Sequence, residues 1–245
     1  MSVVPAAAPD PATARAAVLA RIRQALAAGA APLPPVPDWA APVHPPLPGA
    51  EAGAGAGVGA DDLAVVFAER FVRAGGEFYY AATAEQLGAQ LRDYLLAAGH
   101  PRFFVWEPAM QALLRAAQVP FVADETDFLP HADAGLTSCE ALVARSGSVL
   151  VSAATAAGRR LSIYPDQHLV LARPAQVVAE IGAALARIQQ HYGAALPSMI
   201  SLTTGPSRTA DIEKTLVLGA HGPRRLALFM LEDDASLNRG MKNEE

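Results

Sequence analysis

The chain has 245 residues, 52% of them in the hydrophobic class, and its 19 basic and 24 acidic residues give a formal net charge of −5. A basic patch and a high isoelectric point are typical of nucleic-acid-binding proteins, so this balance argues against that class. No run approaches the roughly 18 consecutive apolar residues that span a bilayer, and we expect a cytoplasmic protein without a membrane span.

The composition changes along the chain and predicts three zones. Residues 11–28 have apolar side chains at four-residue spacing (Val18, Ile22, Leu26), which indicates an amphipathic surface helix. The following residues, up to about 60, are rich in Ala, Pro and Gly and are typical of a linker. We therefore predict an N-terminal helix with a low-complexity linker (1–60), a globular α/β domain (61–234) and a polar tail (235–245).

Helical and strand patterns alternate through the globular zone. Helices are predicted at 61–74, 83–98, 108–117 and 174–191, with a further helix opened by Thr137 or Ser138. Strands are predicted at 77–80, 102–106, 119–122, 148–153, 161–164, 168–172, 199–202, 216–219 and 226–231. Such alternation predicts βαβ units, and the short turns between 148 and 172 add antiparallel pairing. The expected fold is a Rossmann-like, mixed but mainly parallel sheet flanked by helices.

The segment between the apolar runs at 199–202 and 216–219 has the composition of an anion-binding turn from a strand to a helix. Gly205 can shape the turn, while Ser207, Arg208, Thr209 and Lys214 supply donors and positive charge. A helix start at Thr209 or the next residue would add the positive end of its dipole. The alternative is a capped helix start without a ligand, but that leaves both cations unexplained. We predict that this segment binds a small carboxylate or phosphate.

Other site candidates each have a plain structural alternative. Glu140 is either a carboxylate at a pocket or the first-turn acid of a capping box that begins at Thr137. Cys139, the single cysteine, is either a nucleophile or, as we favour, a small buried thiol. His168 is either an acid/base at a pocket rim or a polar residue that starts a strand. His221, between glycines, is a weaker candidate for a pocket mouth.

Four segments resemble, in order and spacing, the lactate-utilization protein C family, which carries the LUD domain. They are GLTSCEALVA at 135–144, GSVLV at 147–151, YPDQHLV at 164–170 and GPSRTADIE at 205–213. The resemblance covers about residues 61–233. It implies a fold like that of glucosamine-phosphate deaminases, ribose-phosphate isomerases and CoA transferases. It also implies a role in oxidising L-lactate to pyruvate together with two iron–sulfur partner proteins, but it assigns no catalytic residue to this chain.

The first functional hypothesis is therefore a subunit of an L-lactate oxidation system that binds a small anion or organises the complex. One cysteine cannot hold an iron–sulfur cluster, and no Gly-x-Gly-x-x-Gly or Walker motif is present outside the linker. We expect no cofactor or metal in this chain and the clusters in its partners. The alternatives are a stand-alone enzyme acting on a sugar phosphate or an acyl-CoA, and a regulatory module that senses a carboxylate.

Overall fold

A computed structural model describes residues 11–27, 47, 60–99, 102–155, 157–212 and 215–232. Contacts within the chain divide it into two units, Met1–Pro45 and Pro46–Glu245. The described part of the first unit is helix α1 (Pro11–Ala27), on which Val18 and Ile22 are exposed, and this confirms the predicted N-terminal helix. Most of the predicted linker and the predicted tail lie outside the described residues. None of the described helices combines the length and the hydropathy that a bilayer crossing requires.

Helices and strands alternate in the second unit. Its α-helices are α2 (Ala60–Arg73), α3 (Ala84–Ala98), α4 (Pro108–Ala116) and α5 (Ile181–Tyr192). Its strands are β1 (Glu77–Ala81), β2 (Phe103–Val105), β3 (Ala134–Thr137), β4 (Ala141–Val143), β5 (Ser148–Ser152), β6 (Gln167–Ala172), β7 (Val177–Val178), β8 (Ile200–Thr203), β9 (Arg208–Ile212), β10 (Thr215–Leu218) and β11 (Arg225–Leu231). Short 3₁₀ turns lie at Leu129–His131 and Pro174–Gln176.

The central sheet is parallel and has the strand order β1-β11-β6-β3-β2. All of its strand pairs are parallel, and Phe229 of β11 lies opposite Tyr79 on one side and Leu171 on the other. Every residue of β2 and β3 is buried, as expected for parallel strands that are covered on both faces. The predicted Rossmann-like fold with a mainly parallel sheet and flanking helices is confirmed.

The antiparallel strands form a second sheet, in the order β7-β4-β5-β8, rather than joining the central one. Strand β5 is antiparallel to both β4 and β8, while β4 is parallel to β7. Strands β4 and β5 are joined by a tight turn in which the Gly147 N–H donates to the Val143 carbonyl at 2.9 Å. Strands β9 and β10 pair separately as an antiparallel hairpin. The predicted antiparallel pairing is therefore present, but it lies outside the parallel sheet.

The two faces of β11 belong to two different hydrophobic clusters, because successive side chains of a strand point to opposite faces. Phe229 and Leu231 pack in the cluster that contains buried residues of α3 and α4. Leu228 and Met230 pack in the cluster that contains Phe71 of α2 and buried residues of β5. With both faces covered, the carboxyl ends of the parallel strands are the natural place for a site.

The segment 174–191 differs from its prediction as one helix. It forms a 3₁₀ turn, then β7, and only then α5. The β-branched residues of β7 pair with β4, and the Val178 carbonyl accepts from the Ala144 N–H at 2.8 Å. On α5, Ile181 and Leu185 are 42% and 48% exposed, whereas Ile188 is buried.

The predicted strand at 161–164 is also wrong, since these residues form turns. Leu161 is fully buried, but it packs against Phe104 and Phe128 rather than entering a sheet. Strand β6, the nearest parallel strand in sequence, already has β3 and β11 on its two edges. The apolar run therefore has no free strand edge to pair with at that position.

Candidate functional site

The predicted anion-binding segment does not lead into a helix. Residues Arg208–Ile212 form β9, and Thr209 lies opposite Val217 of β10. The predicted helix start, and the capped-helix alternative with it, are wrong because the segment pairs across a hairpin with residues later in the chain. No helix dipole therefore adds to anion binding there. Lys214, the fifth predicted binding residue, lies outside the described residues.

The exposed side chain of Arg208 contacts the end of α2. Its Nη2 donates to the Ala74 carbonyl at 2.8 Å. Behind it Gly205 is buried, and the Ser207 N–H donates to the Pro223 carbonyl at 2.9 Å. These bonds give the segment a structural role, since they tie the hairpin to a helix end and to a neighbouring loop. The anion-binding role of Gly205, Ser207, Arg208 and Thr209 stays a prediction.

The connection from β3 to β4 lies at the carboxyl end of the central sheet and contains Glu140. The predicted helix and its capping box are wrong here, because β3 ends at Thr137 and β4 begins at Ala141. The Glu140 N–H donates to the Leu150 carbonyl at 2.8 Å, which starts the pairing of β4 with β5. A helix cap stabilises a protein by about 1 kcal/mol. The pairing of β4 with β5 stabilises this segment more, because it buries a whole strand.

Two hydroxyl groups hold the side chain of Glu140. Its Oε1 accepts from Ser152 Oγ at 2.5 Å and from the Tyr192 hydroxyl at 2.8 Å. Burial first, and then the hydrogen bond to Glu140, raise the pKa of Tyr192, so its phenol remains a donor at neutral pH. Within the described ranges, both side-chain hydrogen bonds of Glu140 go to Oε1 and none goes to Oε2. The second oxygen is thus available to a ligand.

A polar cleft of about 500 Å³ opens beside Glu140. It is lined by Cys139, Glu140, Gln176, Arg187, Gln190 and His191. Arg187, Gln190 and His191 share one face of α5, because residues three and four apart on a helix are neighbours. The Arg187 Nη1 donates to the Ala175 carbonyl at 2.6 Å, which leaves its other N–H groups for a ligand. The cleft therefore combines a carboxylate, a guanidinium group and an imidazole.

A small recess adjoins the other side of Glu140. It measures about 10 Å³ and is lined by hydroxyl groups of Thr137, Ser138, Ser152, Thr155 and Ser162, with Cys139 and Glu140 common to the recess and the cleft. Such a volume is about the minimum that admits one water molecule. The buried Ser162 Oγ has no hydrogen-bond partner in the described part of the chain, and a water in the recess would supply one.

Glu107, which the sequence analysis did not single out, fixes the start of the β3–β4 connection. Its Oε1 accepts from the Ser138 N–H at 2.9 Å and its Oε2 from Ser138 Oγ at 2.7 Å. The available signal was its position, because it follows β2 by two residues at the carboxyl end of a parallel strand. Arg187 and His191 were also not singled out, because no sequence signal places the exposed face of α5 beside Glu140.

Two of the other candidates, His168 and Cys139, are buried, whereas His221 is exposed on a loop. His168 is 2% exposed on β6, and its Nε2 lies 2.8 Å from Thr137 Oγ1. Burial lowers the pKa of His168 to about 4, so its ring is neutral near pH 7. Cys139 is 8% exposed, and burial raises the pKa of its thiol, which matches the favoured reading of an inert residue. His168 therefore does not lie on an open rim, whereas Cys139 borders the cleft.

Residues 124–231 match the family model of the LUD domain. Over this stretch, which is less than half of the chain, the sequence is similar to the LUD domain family. The matched segment contains every residue that lines the polar cleft and the hydroxyl recess. Both hollows therefore lie within the matched segment rather than in the segments before it.

Curated relatives of this chain are named lactate utilization protein C. That of Geobacillus thermodenitrificans is 28% identical over 174 residues, which are 63% of this chain and 72% of that protein. That of Bacillus licheniformis is 36% identical over 105 residues, which are 42% of this chain and 44% of that protein. A solved structure of a DUF162 family protein from Deinococcus radiodurans has a TM-score of 0.54 at 22% identity, covering 71% of this chain and 99% of that one. This structural likeness supports the fold.

The protein has a second hollow, an apolar groove of about 470 Å³ between α2 and the strands β1 and β11. Its floor includes Val65, Phe78 and Met230, and its charged lining residues are Glu69 and Glu232. Two carboxylates beside an apolar floor disfavour a small anion, since like charges repel. The cleft at Glu140 contains a guanidinium group, which this groove lacks. In the described part of the chain, no three His, Cys, Asp or Glu side chains are grouped so that they could hold a metal ion.

The buried His168 predicts a loss of stability in acid. The imidazole of an unfolded chain takes up a proton near pH 6.5, whereas burial lowers the pKa of the folded residue to about 4. The unfolded state therefore binds more protons between these values, and stability falls as the pH falls. From pH 7 to pH 5 the free energy of unfolding should drop by about 2 kcal/mol through this residue. Denaturant unfolding at both pH values measures the drop.

The matched variant is His168→Gln, which keeps a polar side chain but cannot titrate. Its loss of stability between pH 7 and pH 5 should be smaller than that of the wild-type protein by about the same 2 kcal/mol. Equal pH dependence in the two proteins would show that His168 does not contribute this effect.

Proposed function

We propose that this protein takes part in lactate utilization and that its cleft at Glu140 binds a small carboxylate. The names of its curated relatives support the first part of the proposal. The second part is carried by one observation: Glu140 from the β3–β4 connection and Arg187 and His191 from α5 line the same cleft. This cleft lies beside the carboxyl end of a central parallel strand, where ligands of open α/β sheets bind.

The cleft has the donors that a carboxylate needs. A guanidinium group has five N–H donors in a planar fork that matches the two oxygens of a carboxylate. Arg187 uses one of its nitrogens for the Ala175 carbonyl, so its guanidinium group is held in place while other donors stay available. A hydrogen bond to a charged group contributes about 1.5–3 kcal/mol. Such a bond from Arg187 would dominate the binding of so small a ligand.

Oxidation of lactate to pyruvate removes two electrons and two protons, and the electrons need an acceptor. The single cysteine of this chain cannot ligate an iron–sulfur cluster, which is usually held by four thiolates. We therefore propose that the protein acts with iron–sulfur partner subunits that accept these electrons. In this arrangement the present chain binds the carboxylate or organises the complex, and the pure chain alone turns over no L-lactate.

Replacing Arg187 with alanine is expected to weaken L-lactate binding by about 10–100-fold, the equivalent of one charge-assisted hydrogen bond. Isothermal titration calorimetry on the purified chain measures the change. Arg92→Ala is the matched control, because Arg92 is also an exposed helical arginine whose Nη1 donates to a backbone carbonyl, that of Ala117. The affinity of Arg92→Ala for L-lactate should equal that of the wild-type protein.

A third variant, Arg208→Ala, tests the rival site on the hairpin. If Arg208→Ala loses lactate affinity while Arg187→Ala keeps it, the anion site lies at residues 205–209 and the assignment to the cleft is wrong. If the wild-type chain binds neither lactate nor pyruvate nor phosphate at millimolar concentration, the proposal that this subunit binds a ligand is wrong. The proposed role in organising the complex would then remain.

A further inference from the structure

We infer that the cleft selects a 2-hydroxy acid over the corresponding 2-oxo acid, and that the free oxygen of Glu140 makes the selection. This inference rests on the proposed binding of a small carboxylate in the cleft. It adds the substrate class. The two kinds of acid share a carboxylate and differ only at the next carbon, and the cleft would bind the 2-hydroxy acid more tightly. The two observations behind it are the hydrogen bonds of Glu140 and the residues that line the cleft with it.

Glu140 presents an acceptor with a fixed orientation. Ser152 and Tyr192 both donate to Oε1, and Ser152 is itself held by the Ala154 N–H, which donates to its Oγ at 3.1 Å. These bonds set the plane of the carboxylate and leave Oε2 without a hydrogen bond among the described residues. An ionised carboxylate only accepts hydrogen bonds. A ligand group next to Oε2 must therefore be a donor.

The two kinds of acid differ in this respect. The hydroxyl group of a 2-hydroxy acid donates to Oε2, while its carboxylate accepts from Arg187 or His191 on the other wall of the cleft. The oxo group of a 2-oxo acid has lone pairs only, and its oxygen would face the oxygen of Glu140 with no proton between them. Leaving a charged acceptor unpaired costs more than a missing contact, and sites built to bind a hydroxyl group reject analogues that lack it.

The test compares three ligands by titration calorimetry with the full-length chain near pH 7.5. Propionate reports the carboxylate contacts alone, L-lactate adds a donor and pyruvate adds an acceptor. We expect L-lactate to bind at least about tenfold more tightly than pyruvate, as one charge-assisted hydrogen bond implies, with propionate between them. Equal affinities for L-lactate and pyruvate would overturn the inference while leaving carboxylate binding intact. Absence of binding by all three ligands would overturn the proposed ligand site and the inference together.

The decisive variant is Glu140→Gln. If the amide oxygen keeps the bonds from Ser152 and Tyr192, the amide nitrogen takes the place of Oε2 and presents a donor. The preference for L-lactate should then be lost, because the oxo group of pyruvate and the hydroxyl oxygen of L-lactate can both accept from this amide. An undiminished preference for L-lactate in this variant would overturn the inference.

A second variant keeps the carboxylate and loosens its orientation. Tyr192→Phe removes one of the two donors to Oε1 and should reduce the preference for L-lactate without abolishing it. Tyr192 is a positioning residue in this scheme, so its removal should change the ratio of the two affinities more than the affinity for propionate. A wild-type ratio in Tyr192→Phe would show that the orientation of Glu140 does not depend on this bond and would overturn that part of the scheme.

Discussion

Replacing Phe229 with alanine should lower the free energy of unfolding by about 4 kcal/mol, near the middle of the range for buried phenylalanines. Phe229 is fully buried in β11, inside the central sheet. Its ring stacks on Tyr79 with 4.7 Å between centroids and meets Tyr94 edge-on at 5.7 Å. The substitution removes both aromatic contacts and leaves a cavity that two strands and a helix border, so the surroundings cannot close it.

The control for Phe229→Ala is Leu96→Ala. Leu96 is a large apolar residue of α3, but it is 82% exposed. Its truncation should change the free energy of unfolding by no more than about 0.5 kcal/mol. Chemical denaturation followed by circular dichroism measures both variants. A decrease of less than about 2 kcal/mol in the free energy of unfolding of Phe229→Ala would contradict the packing described for β11. Truncating a large buried residue typically costs at least that much.

Gly147→Ala should lower the free energy of unfolding by about 3 kcal/mol, through backbone strain of roughly 1–2 and overpacking of roughly 1–3 kcal/mol. Gly147 turns β4 into β5 with φ +64°, a conformation that favours glycine. A Cβ at this position would lie 2.4 Å from the Phe71 nitrogen and 2.5 Å from the Arg70 carbonyl carbon. These are main-chain atoms of α2, which cannot rotate away, so the turn or the helix must shift.

Gly99→Ala separates the two parts of this effect. Gly99 follows α3 with the same φ of +64°, but a Cβ there would meet no described atom within 4 Å. The free energy of unfolding of Gly99→Ala should fall by only about 1 kcal/mol, which is the conformational cost alone. Thermal or denaturant unfolding of both variants gives the difference. Similar losses for Gly147→Ala and Gly99→Ala would mean that the turn does not press against α2.

Much of the fold could be predicted because its signals are local. Thr83 was expected to cap a helix, and its side chain accepts from the Gln86 N–H at the start of α3. The apolar runs at 148–153, 168–172 and 226–231 were expected to be strands, and they form β5, β6 and β11. In each case the neighbouring residues alone favour the structure that forms.

The errors fall where a distant partner outweighs a local preference. Thr137 and Glu140 have the spacing of a capping box, yet pairing with β5 draws the residues after Glu140 into β4. In the same way Arg208 and Thr209 follow a turn that suits a helix start, yet they pair with β10. A strand partner contributes buried area and a row of hydrogen bonds, which exceeds the contribution of one cap.

The amino-acid sequence by itself determined the class of the fold and the family likeness, and it singled out the carboxylate of Glu140 as a candidate. Only the tertiary structure decided what that carboxylate does. Glu140 meets Ser152 and Tyr192, which are 12 and 52 positions away, because β5 pairs with β4 and α5 packs on the same strand. Local patterns report backbone preferences over a few residues, whereas a site depends on which side chains separate elements bring to one place. The donors that hold Glu140, and the arginine beside it, therefore come together only once the second sheet and α5 are assembled.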